Sequence, residues 1–98
     1  MIRVVETDGD VVELVATTPN GEIRIITGME WEGRDLVLRG MHVDGPGSGS
    51  LGLHTLRDLA REFGRQYFAE SVIIQGGVRT TGANPGRVPR SIVISVRE

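Results

Sequence analysis

Only one stretch of this chain carries helical periodicity. Leu56, Leu59, Ala60, Phe63 and Tyr67 recur at the spacing of an amphipathic helix over residues 51–69, with Arg57, Asp58, Arg61, Glu62 and Arg65 on the other side. The remaining patterned segments are short and either alternate or run apolar. A single apolar stripe needs a single apolar surface, and short strands supply one only as a sheet. The expectation is an α+β domain: an antiparallel sheet of about five to six strands with one long amphipathic helix packed on one face, in the order ββββαββ. At about 1.5 Å per residue that helix would run some 28 Å, enough to cross a sheet.

The strands read as follows. Residues 2–6 and 11–17 flank Asp8-Gly9-Asp10, a hairpin signal. Pro19-Asn20-Gly21 is turn chemistry, because proline presets φ and Asn-Gly tolerates positive φ. Residues 22–27 alternate charge with isoleucine, as a half-buried strand does, and 28–33 extend toward a turn at 32–35. Residues 35–43 form the fourth strand, with Gly40 a candidate bulge or close-approach point. Residues 71–75 and 91–96 are two more apolar runs.

Ninety-eight residues make a single domain spanning 1–98. It divides into a β-rich half at 1–44, a Gly/Ser loop at 45–50, the helix at 51–69, and two strands over 70–98. The loop is read as the entry to the helix, with Ser48 or Ser50 as a cap. With no cysteine, disulfides and thiolate metal sites are excluded. Residues 1–10 hold no long apolar run, so neither a signal peptide nor a membrane span is expected. The expected place of action is a cytoplasm, its own or another cell's.

Charge is unevenly distributed. The net charge is -2, and all 11 basic residues are arginine. Acids dominate residues 1–50 and arginines dominate 51–98. A GC-rich genome is one source of arginine without lysine. Bidentate recognition of phosphate or carboxylate is another. A pI of 5.7 argues against a general nucleic-acid coat.

The densest chemistry lies in residues 76–90, GGVRTTGANPGRVPR, read as a long loop between the last two strands. It contains Arg79, Arg87 and Arg90, Thr80 and Thr81, Asn84 and four glycines, and no acid. Guanidinium forks, hydroxyls and glycine-freed backbone N–H groups all bind oxyanions. A loop of this length without regular structure usually has a function. A solvated hairpin loop kept soluble by arginine is the plainer reading.

Of two histidines, His42 lies at a strand end before the glycine loop, where a rigid element meets open space. It is a candidate general acid or base. Asp44, two residues on, shares its face in a continuous strand and is positioned to orient the imidazole. A strand-end histidine with no chemistry is the alternative. A His-x-Asp pair offers two metal ligands and no obvious third, so no metal is assigned. His54 falls in the first helical turn, as a solvated or loop-contacting residue. No P-loop, dinucleotide fingerprint or nucleophile elbow is present, so no cofactor is expected. With Phe63 and Tyr67 on the helix, and Trp31 and Phe68 apart from them, no aromatic platform for single strands is visible.

The run Gly45-Pro-Gly-Ser-Gly-Ser-Leu-Gly52, the helix segment 56–63, the run Val72-Ile-Ile-Gln-Gly-Gly-Val-Arg-Thr-Thr-Gly-Ala-Asn-Pro-Gly86 and Val88-Pro-Arg90 resemble C-terminal domains of bacterial polymorphic toxins. Such domains end rearrangement-hotspot and contact-dependent inhibition proteins. The resemblance covers roughly residues 36–94. It implies a small effector nuclease, with a metal-independent ribonuclease the leading expectation, acting on RNA and held in check by a cognate immunity protein. Carried over, His42 is the general base or acid, Arg79 and Arg90 bind the scissile phosphate, and Thr80 or Thr81 hydrogen-bonds the transition state. Arg87, Asn84, Asp44 and His54 are candidate substrate contacts. Two other readings stay open. One is a non-catalytic module for phosphate, nucleic acid or another anion. The other is an immunity or antitoxin protein whose acidic first half covers a basic toxin.

Overall fold

Tight turns organise the first half of the chain in the computed structural model, which describes residues 2–19, 21–45, 52–80 and 91–97, and at 53 and 76–80 the backbone alone. Strands β1 (Ile2–Asp8) and β2 (Val11–Thr18) are joined through Gly9 and Asp10. Gly9 has φ 59° at the first central position of this two-residue turn, where a type II′ hairpin calls for glycine. Strand β3 (Gly21–Glu32) turns into β4 (Asp35–Asp44) through Gly33, at φ 64°, and Arg34. Helix α1 (Leu53–Gln66), β5 (Ser71–Thr80) and β6 (Ile92–Ser95) complete the chain.

The six strands form one sheet in chain order, β1-β2-β3-β4-β5-β6. The element order agrees with the expected ββββαββ, and three features differ. First, the sheet is not wholly antiparallel, because β4 and β5 pair in parallel. Helix α1 carries the chain back between them, and a helical crossover is what lets consecutive strands run the same way. Second, the helix has 14 residues, not the long element expected over 51–69. Its N-cap is Gly52, which makes no side-chain cap bond, and not the expected Ser48 or Ser50. It stops where the backbone reverses: Phe68 N–H donates to the Arg65 carbonyl and Ala69 N–H to the Gly64 carbonyl, a Schellman closure. Third, residues 76–80 do not open the expected loop. They prolong β5, and Val78, Arg79 and Thr80 pair with Met41, His42 and Val43. The expected loop residues 81–90 lie outside the described residues, as do 46–51.

The core sits between α1 and one face of the sheet. Leu56, Leu59, Ala60 and Phe63 are buried against Leu14, Ile25, Leu38, Val72, Ile74 and Ile94. Tyr67 packs on its edge, its ring centroid 4.9 Å from that of Phe63. Gly64 lets the helix approach closely, since a Cβ there would lie 2.5 Å from Val96 Cγ2 and 2.9 Å from Val72 Cγ2. The first strand is tied down from the helix side. Glu62 Oε2 accepts from Ile2 N–H at 2.7 Å, and Gln66 Nε2 donates to the Ile2 carbonyl at 3.0 Å.

A bulge in β4 decides which side chains leave the core. Leu36 and Leu38 belong to the helix-facing core, and so do Met41 and Val43. Strict alternation from Leu38 would put positions 40 and 42 inward. Position 40 is instead a glycine at φ 61°, and the pairing shifts beside it toward both β3 and β5. The extra residue exchanges the two faces, so Met41 and Val43 turn inward and Arg39 and His42 share the outer face.

Candidate functional site

The outer face of the sheet carries cross-strand ion pairs. Arg24 Nε lies 3.1 Å from Glu13 Oε2, joining β3 to β2. Arg39 Nη2 lies 2.5 Å from Glu30 Oε1 on β3, while Arg39 Nε donates to Gln75 Oε1 on β5 at 2.9 Å. Most of the arginine and glutamate side chains in these pairs are about half exposed or more, so each pair adds little stability. Their effect is to hold the guanidinium groups in place.

At the carboxyl ends of β4 and β5, His42 is the direct register partner of Arg79. Adjacent strands are about 4.8 Å apart, so the two backbone positions are close neighbours across the pair. On its other side His42 is paired with Ile26 of β3, an isoleucine 39% exposed. His42 itself is half-buried. The imidazole is thus rooted in the middle of the sheet and not on a loop, with strand backbone on both sides fixing its position.

The bulge is braced from below. Thr27, only 1% exposed, donates its hydroxyl toward the Arg39 carbonyl at 3.1 Å and the Gly28 carbonyl at 3.2 Å. Gly28 leaves room for the same Arg39 carbonyl, which would sit 3.3 Å from a Cβ at that position. Thr27, Gly28 and Gly40 together set the turn of the chain that aims His42 outward.

The other sequence candidates fall as follows. Asp44 is exposed, pairs in register with Arg24, and lines a shallow recess with Val15, Glu22, Ile23 and Gly45. It shares the His42 face. The backbone of Thr80 pairs with that of Val43, one residue past Arg79. His54 belongs to the helix layer, is largely exposed, and has Nε2 3.5 Å from Asp58 Oδ2. Thr81, Asn84, Arg87 and Arg90 lie outside the described residues. Among the described residues no cluster of three His, Asp or Glu side chains is placed to hold a metal ion.

Sequence reasoning missed a second cluster. Trp31 near the end of β3 and Phe68 just past the helix line one recess with Arg34, Arg65, Glu70 and Arg97. The two aromatic residues are far apart in sequence, so no local pattern announces them. Read singly, the two residues form no aromatic platform in the sequence, and the structure puts both on the lining of one recess. The signal available was the position of Phe68, which follows the helical stripe without joining it.

No protein-family model matches this chain, and no curated protein or solved structure matches it significantly. The described residues contain no helix long and apolar enough to cross a membrane.

Proposed function

We propose that this protein is a toxin-type ribonuclease that cleaves RNA without a metal ion, centred on His42 and Arg79. The observation that carries the reading is their register pairing across the parallel β4–β5 step. A base and a cation rooted at register partners one strand apart suit a phosphodiester held between them.

In the proposed reaction His42 accepts the proton of a ribose 2′-hydroxyl. The freed oxygen attacks the adjacent phosphorus, the bond from phosphorus to the 5′-oxygen breaks, and that oxygen takes a proton from water. The products are a 2′,3′-cyclic phosphate and a 5′-hydroxyl. Arg79 stabilises the charge that grows on the phosphoryl oxygens. Arg90, Thr81, Arg87 and Asn84 remain candidate phosphate contacts on the segment that follows β5. The polymorphic-toxin reading adds an immunity protein as the expected partner.

The test is RNA cleavage in EDTA by the wild-type protein, His42→Ala and Arg79→Ala, with thermal unfolding as the check on the fold. Loss of cleavage by about 10²–10⁴ in His42→Ala at unchanged melting temperature is expected. Cleavage at the wild-type rate removes His42 from the mechanism. Salt-sensitive RNA binding without turnover by the wild-type protein leaves an anion-binding module in its place.

A further inference from the structure

Phe68 occupies the C′ position of the Schellman closure, at φ 58°, and is 92% exposed. Glycine is usual there because a Cβ is disfavoured in the left-handed region. The chain therefore bears backbone strain to place a phenyl ring where it buries almost nothing. Strain without a packing return is a sign of use by something outside the fold.

The surroundings show what that is. Trp31, 48% exposed, lines the same open recess of about 480 Å³. Three arginines, Arg34, Arg65 and Arg97, line it against one glutamate, Glu70. Glu70 Oε1 lies 3.5 Å from Arg34 Nη1 and 4.0 Å from Arg97 Nη2. Both arginine side chains are about four-fifths exposed, so these pairs are loose and the carboxylate is outnumbered. The recess thus combines flat aromatic faces with an excess of guanidinium. A second copy of this face is disfavoured, because it would set arginines against arginines.

We infer that the Trp31–Phe68 recess is a docking site for unpaired RNA, with a base stacked on the aromatic rings and the flanking phosphates on Arg34, Arg65 and Arg97. Every base has a π face, so stacking of this kind tolerates any sequence, while the arginines follow the backbone. A duplex hides its base faces and is a poor ligand. The inference takes its substrate class from the ribonuclease reading but does not depend on His42. Trp31 and His42 stand on different strands at opposite ends of the β3–β4 pairing, where Trp31 is matched with Leu36 and Ile26 with His42. The recess is an anchoring site and not the place of cleavage.

Trp31 is the sole tryptophan, so its emission reports this recess directly. The experiment titrates His42→Ala protein with an eight-nucleotide oligouridylate and follows that emission. Saturable quenching is expected, weakening with salt at a log–log slope of about −2 for three phosphate contacts. Phe68→Ser and Arg34→Glu, each in the His42→Ala background, are expected to weaken binding about tenfold. An absence of quenching overturns the inference. So does quenching that both substitutions leave unchanged, or equal quenching by an RNA duplex of the same length. In the first case an acidic protein becomes the better candidate partner. Quenching by His42→Ala alongside no cleavage by the wild-type protein would leave the recess standing and the ribonuclease reading overturned. Cleavage without quenching would do the reverse.

Discussion

His42 on β4 and Arg79 on β5 are neighbours in register, brought side by side by a helical crossover that returns the chain to the opposite end of the sheet before β5 begins. Their pairing depends on Gly40. Without the bulge, alternation from Leu38 would carry position 42 into the core.

Gly40→Val tests that dependence. A β-branched residue at φ 61° costs about 1–3 kcal/mol, and the chain relieves it by shifting the bulge. Under the proposed ribonuclease reading, RNA cleavage should then fall further than the stability loss explains, because His42 no longer holds its place. Urea unfolding and cleavage rates measured on the same preparation check this. Unchanged values in both would show that position 40 does not need a left-handed backbone.

Thr27→Val keeps the side-chain volume and removes the hydroxyl that reaches the Arg39 carbonyl. The cost should be about 1–2 kcal/mol, since a buried acceptor loses a donor. Chemical denaturation measures it. A stabilised variant would mean that the hydroxyl contributes nothing to the bulge.

Gly64→Ala reverses the usual sign. In an exposed helix interior this change stabilises by about 0.5–1 kcal/mol. Here the new Cβ would press on Val96 and Val72, and overpacking is expected to win with a loss of about 1–3 kcal/mol. A rise in melting temperature would show that the helix can move off the sheet at little cost.

Phe68→Gly should raise stability by up to about 1 kcal/mol, because the left-handed strain disappears and almost no buried area is lost. The same substitution should weaken oligouridylate binding in the Trp31 emission assay. A variant both less stable and unchanged in binding would assign Phe68 a packing role.

The sequence discloses those parts of the fold that local patterns encode. The Leu56–Phe63 stripe marks the helix because burial repeats every 3.6 residues. Gly9 and Gly33 mark hairpins because their turns need positive φ. The parallel step is not encoded locally, since a helix can return a chain in either sense. Gly76 and Gly77 mislead: they read as the start of a loop, yet their backbone continues β5 beyond Gln75. His42 is legible as a strand-end residue. Its neighbour is not, because register across β4 and β5 follows from tertiary pairing. Trp31 and Phe68 are recognisable singly and meaningless until the recess joins them.

The helical crossover has a kinetic consequence. The meander of β1 to β4 forms from nearby pairings, whereas β5 can join β4 only after α1 has folded back, and distant pairings form slowly. His42 belongs to the early part and Arg79 to the late part. A nascent or partly unfolded chain therefore holds half a site, and whatever chemistry the pair performs is withheld until the last strands close.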